Sequence, residues 1–294
     1  MTALSAASEP QGVISSTRCA RLGQVLSEAR DLLLLPRHEN TDEKNLHFSV
    51  PPCLRGTFVT VSVADNLAHV RHRIAEAARR ASRRPEDVAL MAVTKAFPPE
   101  IIREAYNAGH RLFGENRVQE FAEKAPSLAD LTGIEFHLIG HLQSNKAAKA
   151  AQIFSGIDSV DSLHLAEKLN DAAGKSGTRL QVLIEINVGG EAAKSGVAPD
   201  SPELESILTA AARLESLQFQ GLMSIPPFTE DPEGARPFFR MLRELRDQIA
   251  LRKLRAVSMD TLSMGMSHDF EVAIEEGSTC ARIGTAIFGP RVPK

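Results

Sequence analysis

The feature that most limits what this chain can fold into is an alternation. From residue 88 onward, eight short apolar segments of strand length are separated by seven segments with helical spacing. The candidate strands cover 88–94, 111–113, 135–139, 157–160, 181–187, 219–224, 259–263 and 280–283. The helical patterns between them cover 99–108, 116–124, 145–152, 162–173, 201–213, 231–252 and 268–276. One more helix opens the series, with Leu67, Val70, Ile74, Ala77 and Ala78 at the 3.6-residue period and Pro85 after its end. Strand–helix alternation predicts a parallel sheet. Eight such units predict a single closed (β/α)8 TIM barrel over residues 63–294. A doubly wound open sheet is the alternative, but no Gly-rich dinucleotide fingerprint follows its first strand.

Residues 1–62 read differently. They carry one stretch of helical spacing (Leu22, Val25, Leu26, Ala29, Leu33), stopped by Pro36, and a charged linker, "RHENTDEKN". Neither a secretory signal nor a transit peptide has this composition. The expectation is a poorly ordered extension with one short helix. The net charge of −3 gives no basic excess to hold nucleic acid or an anionic membrane. No apolar run is long enough to span a bilayer. Three cysteines, Cys19, Cys53 and Cys280, are too few for a disulfide framework, which makes a reducing cytoplasm the expected compartment.

A barrel of this kind builds its site at the C-terminal ends of its strands. The first strand ends in Lys95. The next ends bring Asn116, His137 with Gly140-His141, Asp161-Ser162, Asn187, and Met223-Ser224. The last two bring "SMGMS" at 263–267 and Arg282 followed by "GTAIFG" at 284–289. Taken alone, Lys95 reads as a strand-closing lysine whose stem covers apolar surface. Small residues, hydroxyls and backbone N–H groups after strands seven and eight suit a phosphate, and that is where such barrels tend to bind one. A lysine beside a phosphate cradle suggests either a Schiff-base aldolase or pyridoxal phosphate held as an imine. Both need a partly desolvated, neutral amine. Arg282 distinguishes them: facing a pyridine nitrogen, arginine only donates, so that nitrogen stays unprotonated and the ring is a weak electron sink.

The segments "LMAVTKAFPPEIIREAYNAG", "LFGENRVQEF", "FHLIGHLQSNK", "VLIEINVGGEAAKSGV", "GLMSIPP" and "LSMGMSHDFEVAIEEGSTCARIGTAIFG" occur in that order. Together they resemble the pyridoxal-phosphate homeostasis protein family, which shares the barrel of the alanine racemase N-terminal domain. The resemblance spans about residues 63 to 291. It implies that Lys95 forms the imine, Asn116 lies beside the cofactor ring, and Arg282 faces the ring nitrogen. It further implies that Ser263 and the backbone near Gly284 and Thr285 hold the phosphate, with Met264 and Ser267 close by. His137, Asn187 and Met223 match motif positions around the mouth. The cofactor implied is pyridoxal 5'-phosphate (PLP), and the partners are PLP-dependent apo-enzymes that receive it. A monomer is expected.

An amino-acid racemase on this barrel needs a β-rich second domain and a tyrosine opposite the lysine. The sequence runs five residues beyond Gly289 and holds one tyrosine, Tyr106, in a helical segment. The expectation is therefore a carrier without enzyme-like turnover, with a PLP-dependent racemase or a Schiff-base aldolase as the alternative. His137 and His141 have a zinc-like spacing, but on a strand with no third ligand near, so no metal is expected.

Overall fold

The computed structural model describes residues 62–191 and 194–290, all within the compact unit Val59–Lys294. The helix expected between residues 22 and 33 lies outside the described residues. Eight parallel strands close into a barrel in sequence order: β1 (Ala89–Val93), β2 (Leu112–Glu115), β3 (Glu135–Leu138), β4 (Gly156–Val160), β5 (Leu180–Glu185), β6 (Leu217–Met223), β7 (Val257–Ser263) and β8 (Cys280–Ile283). β8 pairs with β1, Arg282 opposite Met91, which closes the ring. The open-sheet alternative is thereby excluded.

Helices α1 (Val63–Arg80), α2 (Pro99–Asn107), α3 (Val118–Lys124), α4 (Ala147–Ile153), α5 (Leu163–Lys175), α6 (Pro202–Ala210), α7 (Arg236–Leu251), α8 (Phe270–Glu275) and α9 (Thr285–Phe288) surround it. Their starts follow local chemistry. Ser62 and Asp65 form a capping box at α1. Proline occupies the first turn of α2, α6 and α7. The helix expected from 116 begins two residues later, because Arg117 stays extended at φ −137°, ψ 127° and leaves Asn116 at the barrel mouth. The short α9 was not legible as a helical pattern.

Strand alternation sorts side chains into two cores. Leu90 and Ala92 of β1 join the large apolar layer between barrel and helices. Met91 and Val93 point the other way and meet Ile139 and Cys280 inside the barrel. In the outer layer Phe113 is fully buried and stacks on Phe136 at 5.4 Å between centroids. Truncating such a phenylalanine to alanine costs about 3–5 kcal/mol. No helix among the described residues is long and apolar enough to cross a membrane.

Candidate functional site

The alternation of β1 carries past its end. Lys95 continues the inward face of Met91 and Val93 and lines a pocket at the C-terminal mouth. Asn116, Arg282, Gly284, Thr285 and Ser267 line the same pocket. Its apolar wall consists of Val93, Ile139, Ile225 and Met266, and His268 completes it. One cationic side chain with an amine, one guanidinium, an amide, two hydroxyls and an apolar wall suit a small, flat, anionic ligand.

Arg282 is only 3% exposed. Its Nη1 donates to Ser263 Oγ at 2.8 Å and its Nη2 to the Ser224 carbonyl at 2.7 Å. Burial lowers its pKa, but a guanidinium keeps its proton. Both of these partners are neutral, and they fix the plane of the guanidinium that Arg282 brings to the pocket. Asn116 Oδ1 is a buried acceptor with no partner. Such an atom is costly to bury and asks for a donor from a ligand. Ser267 Oγ accepts the N–H of Ala286 at 3.4 Å. The first N–H groups of a helix have no intrahelical acceptor, which leaves Thr285 able to donate outward.

The remaining expected residues lie elsewhere. Ser263 is fully buried, and its hydroxyl serves Arg282 rather than facing the pocket. It is the last residue of β7, a layer deeper than the loop; Gly265, at φ 92°, then turns the chain so that Met266 and Ser267 reach the mouth. Met264 is fully buried in the outer core. Met223 is fully buried in register with Glu185 and Ser263. Asn187 spends its amide N–H groups on the carbonyls of Glu191 and Lys194 in its own loop. His137 lines a separate interior cavity toward the N-terminal ends of the strands, with Nδ1 2.8 Å from Asp158 Oδ1. Burial disfavours the His137 imidazolium, yet the Asp158 charge and hydrogen bond outweigh this and raise its pKa. Val93, Ile139, Ile225, Met266 and His268 were missed. The first two carry a readable signal, since they share the inward face of their strands; the other three depend on loop paths that no periodicity encodes.

The alanine racemase N-terminal domain family matches residues 66–292. The pyridoxal phosphate homeostasis protein of Aquifex aeolicus is 46% identical over 231 residues, covering 79% of this chain and 99% of that protein. The protein of the same name in Escherichia coli is 45% identical over 231 residues, covering 78% and 97%. Among solved structures, PipY of Synechococcus elongatus with PLP bound superposes at a TM-score of 0.68 and 37% identity, covering 78% of this chain and all of PipY. An alanine racemase of Clostridium difficile, at TM-score 0.59 and 17% identity, shares the fold.

Proposed function

Because this chain belongs to the pyridoxal phosphate homeostasis protein family, on the alanine racemase N-terminal barrel, we propose that it binds PLP at the barrel mouth and holds it for intracellular supply without enzyme-like turnover. The observation that carries the reading is the pocket that gathers Lys95, Arg282 and the unpartnered Asn116 Oδ1. When bound, PLP supplies an aldehyde that a neutral lysine amine can capture and a phosphate that needs N–H and hydroxyl donors.

Each residue then has a task. Lys95 gives the attachment amine. Asn116 would present its acceptor to a hydroxyl beside that attachment. Ser267, Thr285 and the backbone at Gly284 would meet the phosphate. Arg282, held by Ser263 and Ser224, would direct donors at the ring nitrogen; having no acceptor, it would keep that nitrogen unprotonated. Val93, Ile139, Ile225 and Met266, the apolar wall of the pocket, would pack against the ring.

The placement of the tyrosine favours carriage over racemisation. The one tyrosine in the sequence, Tyr106, lies on α2, donates to the Thr132 carbonyl at 2.9 Å and carries the Arg111 guanidinium 3.8 Å above its ring. It is committed there and does not line the pocket. PLP-dependent apo-enzymes as recipients, a monomeric state and a cytoplasmic location complete the reading. The test is borohydride reduction of the protein mixed with PLP, followed by peptide mass mapping. The cofactor increment is expected on Lys95 and absent in Lys95→Ala; an increment fixed elsewhere with Lys95 unmodified would sink the assignment.

A further inference from the structure

The backbone on both sides of Lys95 is gripped by a buried ionic cluster that does not line the pocket. Thr94, just before it, is fully buried. Its hydroxyl donates to Glu115 Oε1 at 2.8 Å and its N–H to the Gly114 carbonyl at 2.9 Å. Lys124, in the last turn of α3, donates through Nζ to the Thr94 carbonyl at 3.1 Å, to Glu115 Oε1 at 3.0 Å and to Glu120 Oε1 at 2.7 Å. The same Glu120 oxygen accepts the N–H of Ala96 at 2.6 Å. Lys95 therefore sits between two anchored peptide units, and one ammonium ties the anchors together.

The turn after Lys95 needs such an anchor. Ala96 has φ 65°, in the left-handed region that a side chain with a Cβ rarely adopts. Residues stay in that region where their surroundings over-determine them. The Glu120 bond to Ala96 N–H is one such constraint; the bond from Phe97 N–H back to the Thr94 carbonyl, at 3.1 Å, is the other. The cluster is also costly to build. Glu115 is fully buried and Lys124 is 8% exposed, and ionisable groups are rarely buried unless paired and bonded. Burial pushes the Glu115 carboxyl up, while the Lys124 charge opposes it. That expense is concentrated at one point, the end of the strand that carries Lys95.

We propose that Glu120 and Lys124 are positioning residues: by fixing the peptide units before and after Lys95, they aim its amine into the pocket at the distance and angle that capture requires. This rests on the reading of Lys95 as the attachment residue. The same geometry keeps the second amine out of the chemistry, because three acceptors hold Lys124 behind the strand.

The test separates aiming from binding. PLP is mixed with the protein and covalent capture is followed by visible absorbance. Pocket occupancy without capture is measured with pyridoxine 5'-phosphate, which has an alcohol in place of the aldehyde. Glu120→Ala is expected to slow capture about 10- to 100-fold, the effect of a misplaced reacting group, with analogue affinity unchanged. Glu120→Gln keeps an oxygen for the Ala96 N–H and is expected to restore most of the rate. If Glu120→Ala does not fold, Glu120→Asp replaces it: the charge near Lys124 remains, but the carboxylate is withdrawn from Ala96 by one methylene, and slow capture is again expected. Capture at the unsubstituted rate in these shortened variants, or a parallel loss of analogue affinity, overturns the positioning role. A borohydride increment away from Lys95 in the unsubstituted protein would instead overturn the attachment reading itself.

Discussion

Gly140 stands against the backbone of Asn116, so closely that a Cβ at 140 would overlap the Asn116 carbonyl oxygen and lie 3.0 Å from its Cα and carbonyl carbon. The obstructing atoms are main chain and cannot swing aside. Gly140→Ala must therefore displace Asn116 from the pocket it lines. The expected result is a loss of PLP affinity of about tenfold or more, the scale set by misplacing a contact residue by part of an ångström. Absorbance titration measures it. Unchanged affinity in a folded Gly140→Ala protein would show that Asn116 does not contribute.

Two serines, four residues apart, should behave oppositely. Ser263→Ala removes the acceptor of Arg282 Nη1 inside the barrel. A buried charged donor left without its partner costs about 1–3 kcal/mol. The loss should appear in urea unfolding without any ligand. Ser267→Ala removes a pocket hydroxyl from a half-buried loop, and should lower PLP affinity with stability nearly unchanged. If Ser263→Ala leaves stability intact and only affinity falls, Ser263 meets the ligand directly.

That pair also shows how far the sequence could be read. All eight strands were legible because apolar runs of strand length alternate with 3.6-residue patterns, and β-strand parity then pointed Lys95 inward with Met91 and Val93. Arg282, Gly284 and Thr285 were legible because a barrel puts its strand ends at one mouth. Depth within the mouth was not. Ser263, Met223 and His137 all belong to strands, but a one-layer difference decides whether a side chain meets the pocket, another strand or an interior cavity. Register shifts between β5 and β6 and between β6 and β7 alter that depth, and no periodicity announces them. The Lys124–Glu115–Glu120 cluster was hidden for another reason. A lysine and a glutamate four residues apart on a helix normally read as a solvated pair; here the pair is turned inward onto Thr94.

Acid should destabilise this barrel through His110. The ring is buried, its Nε2–H donates to the Leu112 carbonyl at 2.7 Å, and Arg71 donates to Nδ1 at 3.4 Å, which fixes the neutral tautomer. Burial, with smaller contributions from the Arg71 and Arg111 charges, lowers its pKa from 6.5 to about 4. Between those values the unfolded chain binds a proton that the folded chain refuses. Stability therefore falls as pH drops from 7 to 4 and levels off below, by about 3 kcal/mol at most. Urea midpoints of the unsubstituted protein and His110→Gln, compared at pH 7 and pH 4, measure it. Equal acid losses in the two proteins would remove His110 as the cause.

The last expectation concerns turnover. Racemisation on this barrel needs two proton carriers, one on each face of the bound substrate. Lys95 can serve one face. Among the side chains that line the pocket, His268 is the other one built on an acid–base group. Its position argues against the role: Nε2 lies 3.1 Å from the Thr229 carbonyl, and its ring packs 5.5 Å from that of Phe228. Turning toward the substrate would break both contacts. In the proposed binding mode Arg282 would add a second obstacle, since an unprotonated ring nitrogen stabilises a carbanion poorly. A positioned acid or base is commonly worth about 10²–10⁴-fold, so its absence should leave any racemisation of L-alanine or L-serine, at saturating PLP, well below about 1 s⁻¹. His268→Gln should leave that residual rate where it was. Turnover at enzyme-like rates, abolished by Lys95→Ala and cut by His268→Gln, would make this protein a racemase and His268 its second acid–base.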